Sequence, residues 1–217
     1  MAKRRRPVAR IFLLSPANCG GVRARMVASP ATRFGLAQQL RSREGAPLGD
    51  LFAFVSGLYF RGKLAYARRF ARPTDPDDPV LGGGVLVITP GAGLRSADTP
   101  VTLESFLAFA RVPIALDNAT YREPLVRGAK ALDRAAGPEA EIVLLGSVAS
   151  GKYVELLLPI FGDRLLFPPD FVGRGDMSRG GLMLRCVMAD LELPYVPLRG
   201  AVRHGARPPR LEPLRRR

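Results

Sequence analysis

The sequence predicts an α/β domain with a doubly wound, mostly parallel central sheet of about five strands and helices on both faces. Short, almost uniformly apolar runs alternate along the chain with longer segments of helical periodicity. Strands that are apolar throughout are buried on both faces, which is typical of parallel sheets covered by helices. Because parallel strands are joined by right-handed crossovers, we expect the doubly wound arrangement.

Strands are predicted wherever a short apolar run is followed by small or polar residues. A sixth run, residues 51–55, fits either a strand or a helix. The runs at 85–89, 112–116 and 142–145 are expected to be neighbouring, buried and parallel. The five predicted strands are residues 11–14, 85–89, 112–116, 142–145 and 165–167.

Helical periodicity is clearest over residues 58–72. There Tyr59, Tyr66 and Phe70 fall within about 40° of one another on a helical wheel, so they form a packed face. The opposite face carries Arg61, Arg68 and Arg72 and is either a solvated surface or a track for phosphates. The predicted helices are residues 30–43, 58–72, 103–111, 124–136, 150–161 and 177–191.

Positive charge is concentrated at the two ends of the chain. The formal net charge is +14; residues 1–10 carry five Lys or Arg and no acid, and residues 199–217 carry seven Arg and one acid. A single domain over residues 11–198 is therefore predicted between two basic arms, 1–10 and 199–217. Arginine-rich arms are typical of proteins that bind phosphate backbones. The predicted nucleic-acid contacts in the arms are Arg4, Arg5, Arg6, Arg203, Arg207, Arg210 and Arg215.

The predicted partner is DNA or RNA; a membrane surface, an acidic protein or simply solvated arms are the alternatives. No apolar stretch approaches 18 residues, so no membrane span is expected. Cys19, Cys186 and the one histidine, His204, have no metal-ligand spacing. We therefore expect no metal, no cofactor and a reducing, cytoplasmic location.

The loops after the predicted strands form the expected ligand site. In doubly wound sheets ligands bind beyond the carboxyl ends of the strands. These loops are rich in glycine and small polar residues, which let a ligand approach the backbone closely. Tight turns alone would explain several of them. The predicted substrate- or phosphate-binding residues are Ser15, Asn18, Gly20, Gly21, Thr89, Gly91, Asn118, Ser147, Ser150, Lys152, Arg174, Ser178 and Arg179.

One of these loops, residues 146–152, reads Gly-Ser-Val-Ala-Ser-Gly-Lys and matches the phosphate-loop pattern between a strand and a helix. Tyr153 stands where that pattern has the Ser or Thr ligand of magnesium. Three interpretations stay open: nucleotide hydrolysis, simple anion binding by Lys152, or an ordinary helix start capped by Ser147 or Ser150.

A second unusual segment is residues 173–181, where two arginines, one acid and four glycines gather at a predicted helix start. A helix start favours anions, and each helical glycine costs about 1 kcal/mol relative to alanine. Close approach of a ligand or of another element would compensate this cost. The alternative is that Asp176 or Ser178 only caps the helix.

Two carboxylates in the strand-end loops, Asp117 and Asp176, are the candidate catalytic groups. Either could activate water or stabilise a positively charged transition state. A Ser-His-Asp hydrolase is disfavoured, because His204 lies in the basic arm and leaves Ser15 and Ser147 without a histidine base.

The opening Leu13-Leu14-Ser15-Pro16-Ala17 is similar to the start of the bacterial peroxide-stress resistance proteins. The segment from Leu58 to Phe70, followed by 89–94, resembles a broader group of small α/β proteins. Some members of that group resemble the uracil-DNA-glycosylase-like domain of tRNA base-modifying enzymes. The chain has Asn18-Cys19 where the peroxide-stress proteins have Lys-Thr, and it lacks the His-Pro-Ser signature of uracil-DNA glycosylases.

What this resemblance implies is a nucleic-acid or nucleobase association on a glycosylase-like fold, with no catalytic residue carried over. The leading hypothesis is therefore a nucleic-acid-binding protein of that fold, acting on a base or nucleotide at a strand-end pocket. The alternatives are a non-enzymatic nucleic-acid-binding module, and a small-molecule nucleotide or phosphate-ester enzyme localised by its basic arms.

Overall fold

The computed structural model describes residues 8–149 and 151–211. A six-stranded sheet runs in the order β4-β3-β1-β6-β7-β8, and β2 and β5 form a separate small ribbon. The strands are β1 (Arg10–Leu14), β2 (Ala46–Pro47), β3 (Val85–Thr89), β4 (Gly93–Ser96), β5 (Pro100–Val101), β6 (Glu141–Leu145), β7 (Leu165–Phe167) and β8 (Val196–Pro197). The α-helices are α1 (Val22–Ala28), α2 (Gly35–Arg41), α3 (Leu48–Ser56), α4 (Leu58–Phe70), α5 (Leu103–Ala110), α6 (Ala119–Ala136), α7 (Gly151–Phe161) and α8 (Asp176–Ala189).

The middle of the sheet is parallel, and β1 lies at its centre. β1 pairs in parallel with β3 on one side and with β6 on the other, and β6 pairs in parallel with β7. The edge strands β4 and β8 are antiparallel to their neighbours. The predicted α/β class is confirmed, with six strands where about five were expected.

Helices cover both faces of the sheet because alternate side chains of each strand enter two separate cores. Phe12 and Leu14 of β1 enter a core that includes residues of α3, α4 and α5. Ile11 and Leu13 enter the opposite core, against α6 and α7. All four side chains are fully buried, and burial of each contributes about 1.5–3 kcal/mol.

The path of the chain places a crevice at the carboxyl end of β1. The strands β3 and β4, which follow β1 in the sequence, lie on one side of β1 in the sheet. Helix α6 then leads to β6 and β7, which lie on the other side of β1. The strand order therefore reverses at β1. At such a point the loops leaving neighbouring strands diverge to opposite faces and leave room for a ligand.

The predicted strand at 112–116 is wrong. These residues form a loop between α5 and α6, so β3 and β6 are separated only by β1. Pro113 has no N–H for a ladder, and its carbonyl accepts a hydrogen bond from the Asn118 side chain at 2.8 Å. Val112 and Ile114 are apolar because they pack against the second core.

The other differences concern helices. The ambiguous run 51–55 lies inside α3, and α1 has no predicted counterpart. Only Gly35–Arg41 of the predicted helix 30–43 is helical, because residues before it form a loop held by two side chains. Thr32 Oγ1 donates to the Met26 carbonyl at 2.7 Å, and Arg41 Nη1 donates to the Ser29 carbonyl at 2.9 Å. The remaining five predicted helices correspond to α4–α8.

Two glycines bring α4 and α8 into backbone contact. A Cβ atom on Gly62 would lie 2.6 Å from the Gly180 carbonyl oxygen, and a Cβ on Gly180 would lie 2.7 Å from the Leu58 carbonyl oxygen. Only a residue without a side chain fits at either position. The helical cost of Gly180 is thus explained by close packing between helices.

The ends of the domain are more closely attached than free arms would be. Arg10 belongs to β1, where its Nε donates to Glu141 at 2.7 Å and its guanidinium also pairs with Glu192. Arg199 pairs with Asp163 at 2.9 Å. The predicted arm residues Arg4, Arg5, Arg6 and Arg215 lie outside the described residues.

No helix within residues 8–149 and 151–211 is long and apolar enough to cross a membrane.

Candidate functional site

A cavity of about 390 Å³ lies at the carboxyl end of β1, where three loops and a helix start converge. The loop after β1 forms one wall and the loop between α5 and α6 forms another. Ligand sites in proteins commonly have volumes of roughly 300–1,000 Å³. The lining residues of this strand-end cavity are Pro16, Ala17, Asn18, Cys19, Gly20, Pro90, Phe109, Ala110, Val112, Ile114, Lys152 and Tyr153.

Three of the predicted binding residues line this cavity: Asn18, Gly20 and Lys152. Asn18 Oδ1 accepts a hydrogen bond from the Gly20 N–H at 3.0 Å, which closes a tight turn before α1. Gly21 precedes that helix as its N-cap. Lys152 is exposed in the first turn of α7, so its ammonium can reach a ligand in the cavity.

Other predicted binding residues have structural roles. Thr89 is fully buried, and its hydroxyl donates to the Gly93 carbonyl at 2.8 Å across the β3–β4 turn. Gly91 in the same turn has φ of 80°, which favours glycine. Asn118 caps α6, because its Oδ1 accepts from the Thr120 N–H at 3.1 Å.

The segment that resembles a phosphate loop, residues 146–152, packs at its start against the residue that follows β1. A Cβ on Gly146 would lie 2.8 Å from the Ser15 Cβ, so close packing of the two loops accounts for this glycine. Ser147 is half-buried in the loop, and Ser150 lies outside the described residues. Among the described residues of this segment, Lys152 lines the strand-end cavity.

Ser15, the first residue after β1, contacts a buried lysine that the sequence reading missed. Lys63 reaches it from α4, and its Nζ lies 2.6 Å from the Ser15 carbonyl oxygen and 2.9 Å from Ser15 Oγ. The Nζ atom also lies 4.4 Å from the centre of the Tyr59 ring and 4.6 Å from that of Phe60. Lys63 is 1% exposed, and this burial lowers its pKa to about 7.

A signal for Lys63 was present in the sequence. It lies four residues after Tyr59, about 40° away on the helical wheel, and so on the packed face of α4. The basic face considered in the sequence was the opposite one. There Arg68 pairs with Asp98 at 2.7 Å and Arg72 pairs with Glu192 at 3.0 Å. Because these arginines are already paired with carboxylates, the basic face of α4 is better explained as a solvated surface than as a track for phosphates.

We expect the burial of Lys63 to make the protein more stable as pH rises from about 7 to about 9. In the unfolded chain the lysine still binds its proton up to pH 10.5, whereas in the folded chain it loses it near pH 7. The unfolded state thus binds more protons in this window, and the free energy of unfolding rises by up to about 1.4 kcal/mol per pH unit. Lys63→Met lacks this contribution.

Urea unfolding of the wild type and Lys63→Met at pH 6, 7.5 and 9 measures the effect, since other titrating groups cancel in the difference. Lys130→Met is the matched control, because Lys130 is an exposed lysine on α6. A difference between wild type and Lys63→Met that is constant over these pH values would contradict the lowered pKa of Lys63.

The two candidate carboxylates have different surroundings. Asp176 begins α8, its side chain is 69% exposed, and it pairs with Arg179 at 3.7 Å. It also acts electrostatically on Lys63 and Tyr153, but it is not among the described residues that line the strand-end cavity. Asp117 is exposed in the loop that was wrongly predicted as a strand, so the strand-end argument that placed it in the site no longer holds.

The sulfur atom in the strand-end cavity belongs to Cys19. Burial raises the pKa of this thiol to about 12, so the thiol stays protonated and is a poor nucleophile. Burial also raises the pKa of Cys186, which is half-buried on α8.

Two of the predicted binding residues near α8, Arg174 and Ser178, line a second concave surface. Arg174, Arg185, Arg207 and Arg210 line a groove of about 360 Å³ between α8 and the C-terminal segment. We call this surface the arginine groove. Its remaining lining residues are Met177, Ser178, Gly181, Pro208, Pro209 and Leu211, so no carboxylate is among the described lining residues.

The arginine groove exists because the C-terminal segment packs on the domain. A Cβ on Gly173 would lie 2.1 Å from the Ala206 carbonyl oxygen, so the two backbones touch there. Arg174 Nη1 lies 3.4 Å from the Pro209 carbonyl oxygen and 3.3 Å from Ser178 Oγ. The described part of the predicted arm is therefore one wall of a groove, with Arg207 and Arg210 on it.

Arg179 is buried, unlike the groove arginines. Its Nε and Nη2 both donate to the Phe171 carbonyl, at 3.1 and 2.9 Å. Two of its five N–H donors therefore hold the turn before α8 in place. Arg203, another predicted contact, is half-buried in the C-terminal segment and is not among the groove-lining residues.

A further surface depression lies along α6 alone, with a volume of about 550 Å³. It is larger than the strand-end cavity, but all of its lining residues in the described part of the chain belong to one helix. We therefore take it as a basic helix face. Its lining residues are Arg122, Glu123, Val126, Arg127, Lys130 and Arg134.

No protein-family model, curated protein or solved structure matches this chain.

Proposed function

We propose that this protein binds single-stranded nucleic acid, with the sugar–phosphate backbone in the arginine groove and a base in the strand-end cavity. The observation that carries the proposal is the charge of the groove: four arginines line it and, among its described residues, no acid does. Guanidinium groups bind phosphate oxygens bidentately and stay charged at any physiological pH.

Among the described residues, ion pairing does not neutralise the charge of three of these arginines, Arg174, Arg207 and Arg210. Arg174 donates to the Asp170 carbonyl at 3.0 Å and lies near the neutral oxygens of Ser178 and Pro209. Neither Arg207 nor Arg210 pairs with a carboxylate within the described part of the chain. Because these three arginines have no carboxylate partner among the described residues, their positive charge is available to neutralise the phosphates of a polyanion.

The apolar groups around the arginines favour a single strand over a duplex. Met177, which is 67% exposed, and Pro208, Pro209 and Leu211 share the groove with the arginines. A duplex presents mainly phosphates, whereas a single strand also offers the faces of its bases to apolar side chains.

The strand-end cavity is suited to one base or nucleotide. Its walls include Phe109, Val112 and Ile114, which offer apolar surface, and Lys152 stands beside them as a cation. The cavity and the groove are connected through two residues: Tyr153 lines the cavity and interacts electrostatically with Asp176, and Met177, which follows Asp176 in the chain, lines the groove. A protein that acts on a base must take it out of a stack, and a neighbouring pocket provides the room.

The test is the affinity for a fluorescent single-stranded oligonucleotide, measured by anisotropy near 0.1 M salt. The triple substitution Arg174→Gln, Arg207→Gln, Arg210→Gln is expected to weaken binding by roughly 10- to 100-fold, because three phosphate contacts lose their charge. Glutamine retains hydrogen-bonding groups, so the C-terminal segment can stay in place.

The matched control removes the same charge from the basic face of α6. Arg127→Gln, Lys130→Gln, Arg134→Gln is expected to change the affinity less than about threefold. Equal losses in both triple variants would indicate nonspecific attraction by net charge. Tight binding of a mononucleotide with none of the oligonucleotide would indicate a small-molecule nucleotide site and would overturn the proposal.

A further inference from the structure

The buried contact between Ser15 and Lys63 is not needed for binding nucleic acid. Ser15 stands at the point where the strand order reverses, directly before Pro16 and Ala17 of the strand-end cavity. Its side chain is held by a lysine 48 positions away in the sequence, on a different element. Ser15 is 6% exposed, and its hydroxyl is held one residue before the wall of the cavity.

The burial of Lys63, which is 1% exposed, favours the neutral amine. An ammonium group has three N–H donors, but only two oxygens of Ser15 accept them here, and the Tyr59 and Phe60 rings compensate the loss of hydration only in part. The charged groups that act on it are Asp176, which favours the ammonium, and Arg179, which opposes it; desolvation is the larger effect. A neutral Nζ can accept the proton of Ser15 Oγ–H across the 2.9 Å contact.

The choice of lysine at this position is informative. The chain contains four lysines and 29 arginines. An arginine could also fill a basic position, but it does not lose its proton in proteins, whereas a buried lysine does. The one histidine, His204, lies in the C-terminal segment. Lys63 is therefore the group placed to serve Ser15 as a base.

A buried hydroxyl completes the cluster. Tyr59 Oη is buried and has no hydrogen-bond partner among the described residues, although its ring touches Lys63. Burial raises the pKa of Tyr59 to about 12 against the opposing effect of the nearby Arg179 guanidinium. The phenol therefore keeps its proton, and because a guanidinium can only donate, that proton is available for a hydrogen bond to a ligand. An unpaired buried donor costs free energy unless a ligand accepts its hydrogen bond.

We propose that Ser15 and Lys63 form a nucleophile–base pair that cleaves a carboxylic ester or amide in the strand-end cavity. Ser15 Oγ bonds to the carbonyl carbon while its proton passes to Lys63 Nζ, and Tyr59 Oη donates to the developing oxyanion. The bond to the leaving group breaks as that group takes the proton from Lys63. Water then gives a proton to Lys63 and adds to the acyl carbon. The bond from that carbon to Ser15 Oγ breaks as Lys63 returns the proton to Ser15 Oγ, and the carboxylic acid leaves.

This inference does not depend on nucleic-acid binding, so it is tested without an oligonucleotide. The probe is a biotinylated alkyl fluorophosphonate, applied to the full-length protein and mapped by mass spectrometry of peptides. In the reaction Ser15 Oγ bonds to phosphorus, fluoride leaves, and the serine proton passes to Lys63. We expect labelling at Ser15, with a rate that rises with pH around a midpoint near 7.

The variants separate catalysis from structural support. Lys63→Arg keeps a positive charge without a usable base and is expected to slow labelling by roughly 100-fold. Tyr59→Phe should slow labelling without moving the midpoint of the pH profile. Lys130→Arg should label like the wild type, and thermal melting checks the fold of each variant.

Several results would contradict the proposal that Ser15 and Lys63 form a nucleophile–base pair. These are a folded wild-type protein that is not labelled at Ser15, a labelling rate without a pH midpoint near 7, or equal rates in the wild type and a folded Lys63→Arg variant. If Lys63→Arg does not fold, the pH profile of labelling in the wild type still tests the proposal. Borohydride trapping of an aldehyde on Lys63, with no labelling of Ser15, would make the lysine itself the nucleophile.

Discussion

Gly180→Ala is expected to destabilise the protein by about 3 kcal/mol, because a methyl group there has no space. Its Cβ would lie 2.7 Å from the Leu58 carbonyl oxygen and 2.8 Å from the Tyr59 Cα, both backbone atoms that move only with the whole of α4. The helices would have to separate, and Lys63 and Arg179 would separate with them. A fall of roughly 6–12 °C in Tm should follow for a domain of this size.

The neighbouring glycine provides the control. A Cβ on Gly181 would lie 3.6 Å from a Leu211 side-chain atom, an ordinary contact, so Gly181→Ala should leave the protein as stable or up to about 1 kcal/mol more stable. Thermal melting of the two variants side by side measures the difference. Equal Tm values for Gly180→Ala and Gly181→Ala would contradict the close contact of α4 with α8.

Arg10→Met is the second substitution with a large expected effect, a loss of about 3 kcal/mol. The Arg10 side chain is 14% exposed, pairs with both Glu141 and Glu192, and lies with its Cζ 4.8 Å from the centre of the Tyr195 ring. Removing the arginine leaves the carboxylates of Glu141 and Glu192 partly buried without its positive charge. The free-energy cost of these unpaired charges is larger than the net stabilisation that the ion pairs provide.

An exposed ion pair on the same side of the domain is the control for Arg10→Met. Arg69 pairs with Asp190, and both side chains are more than half exposed. Arg69→Met should therefore cost less than about 1 kcal/mol. Urea unfolding at neutral pH gives both values, and a cost for Arg10→Met as small as that for Arg69→Met would show that Arg10 is a solvated arm residue after all.

The buried strands could be predicted from the sequence because their side chains face two cores. Residues 11–14, 85–89, 142–145 and 165–167 are apolar at nearly every position, and all four lie in the central sheet. The run at 112–116 has the same local pattern for another reason. Val112 and Ile114 line a cavity and pack beneath it, and a short apolar pattern does not distinguish a cavity wall from a strand.

The candidate site could be predicted only in part. A local sequence pattern identifies the residues that directly follow a strand, but it does not show which side chains of distant elements contact them. Asn18, Gly20 and Lys152 follow strands and were found that way. Lys63 comes from α4, and its partner is 48 positions away. The contact of Gly173 with Ala206 likewise joins distant backbones, so the sequence suggested a free arm where the structure has the wall of the arginine groove.

The salt dependence of oligonucleotide binding tests the central claim most directly, since it reports how many phosphates the protein neutralises. For a single strand each contact contributes roughly 0.7 to the slope of log affinity against log salt concentration. The Arg174, Arg207 and Arg210 triple variant should therefore have a slope shallower than the wild type by about 2. The α6 triple variant should keep the wild-type slope. A groove variant with the wild-type slope would contradict the assignment of the arginine groove as the nucleic-acid interface.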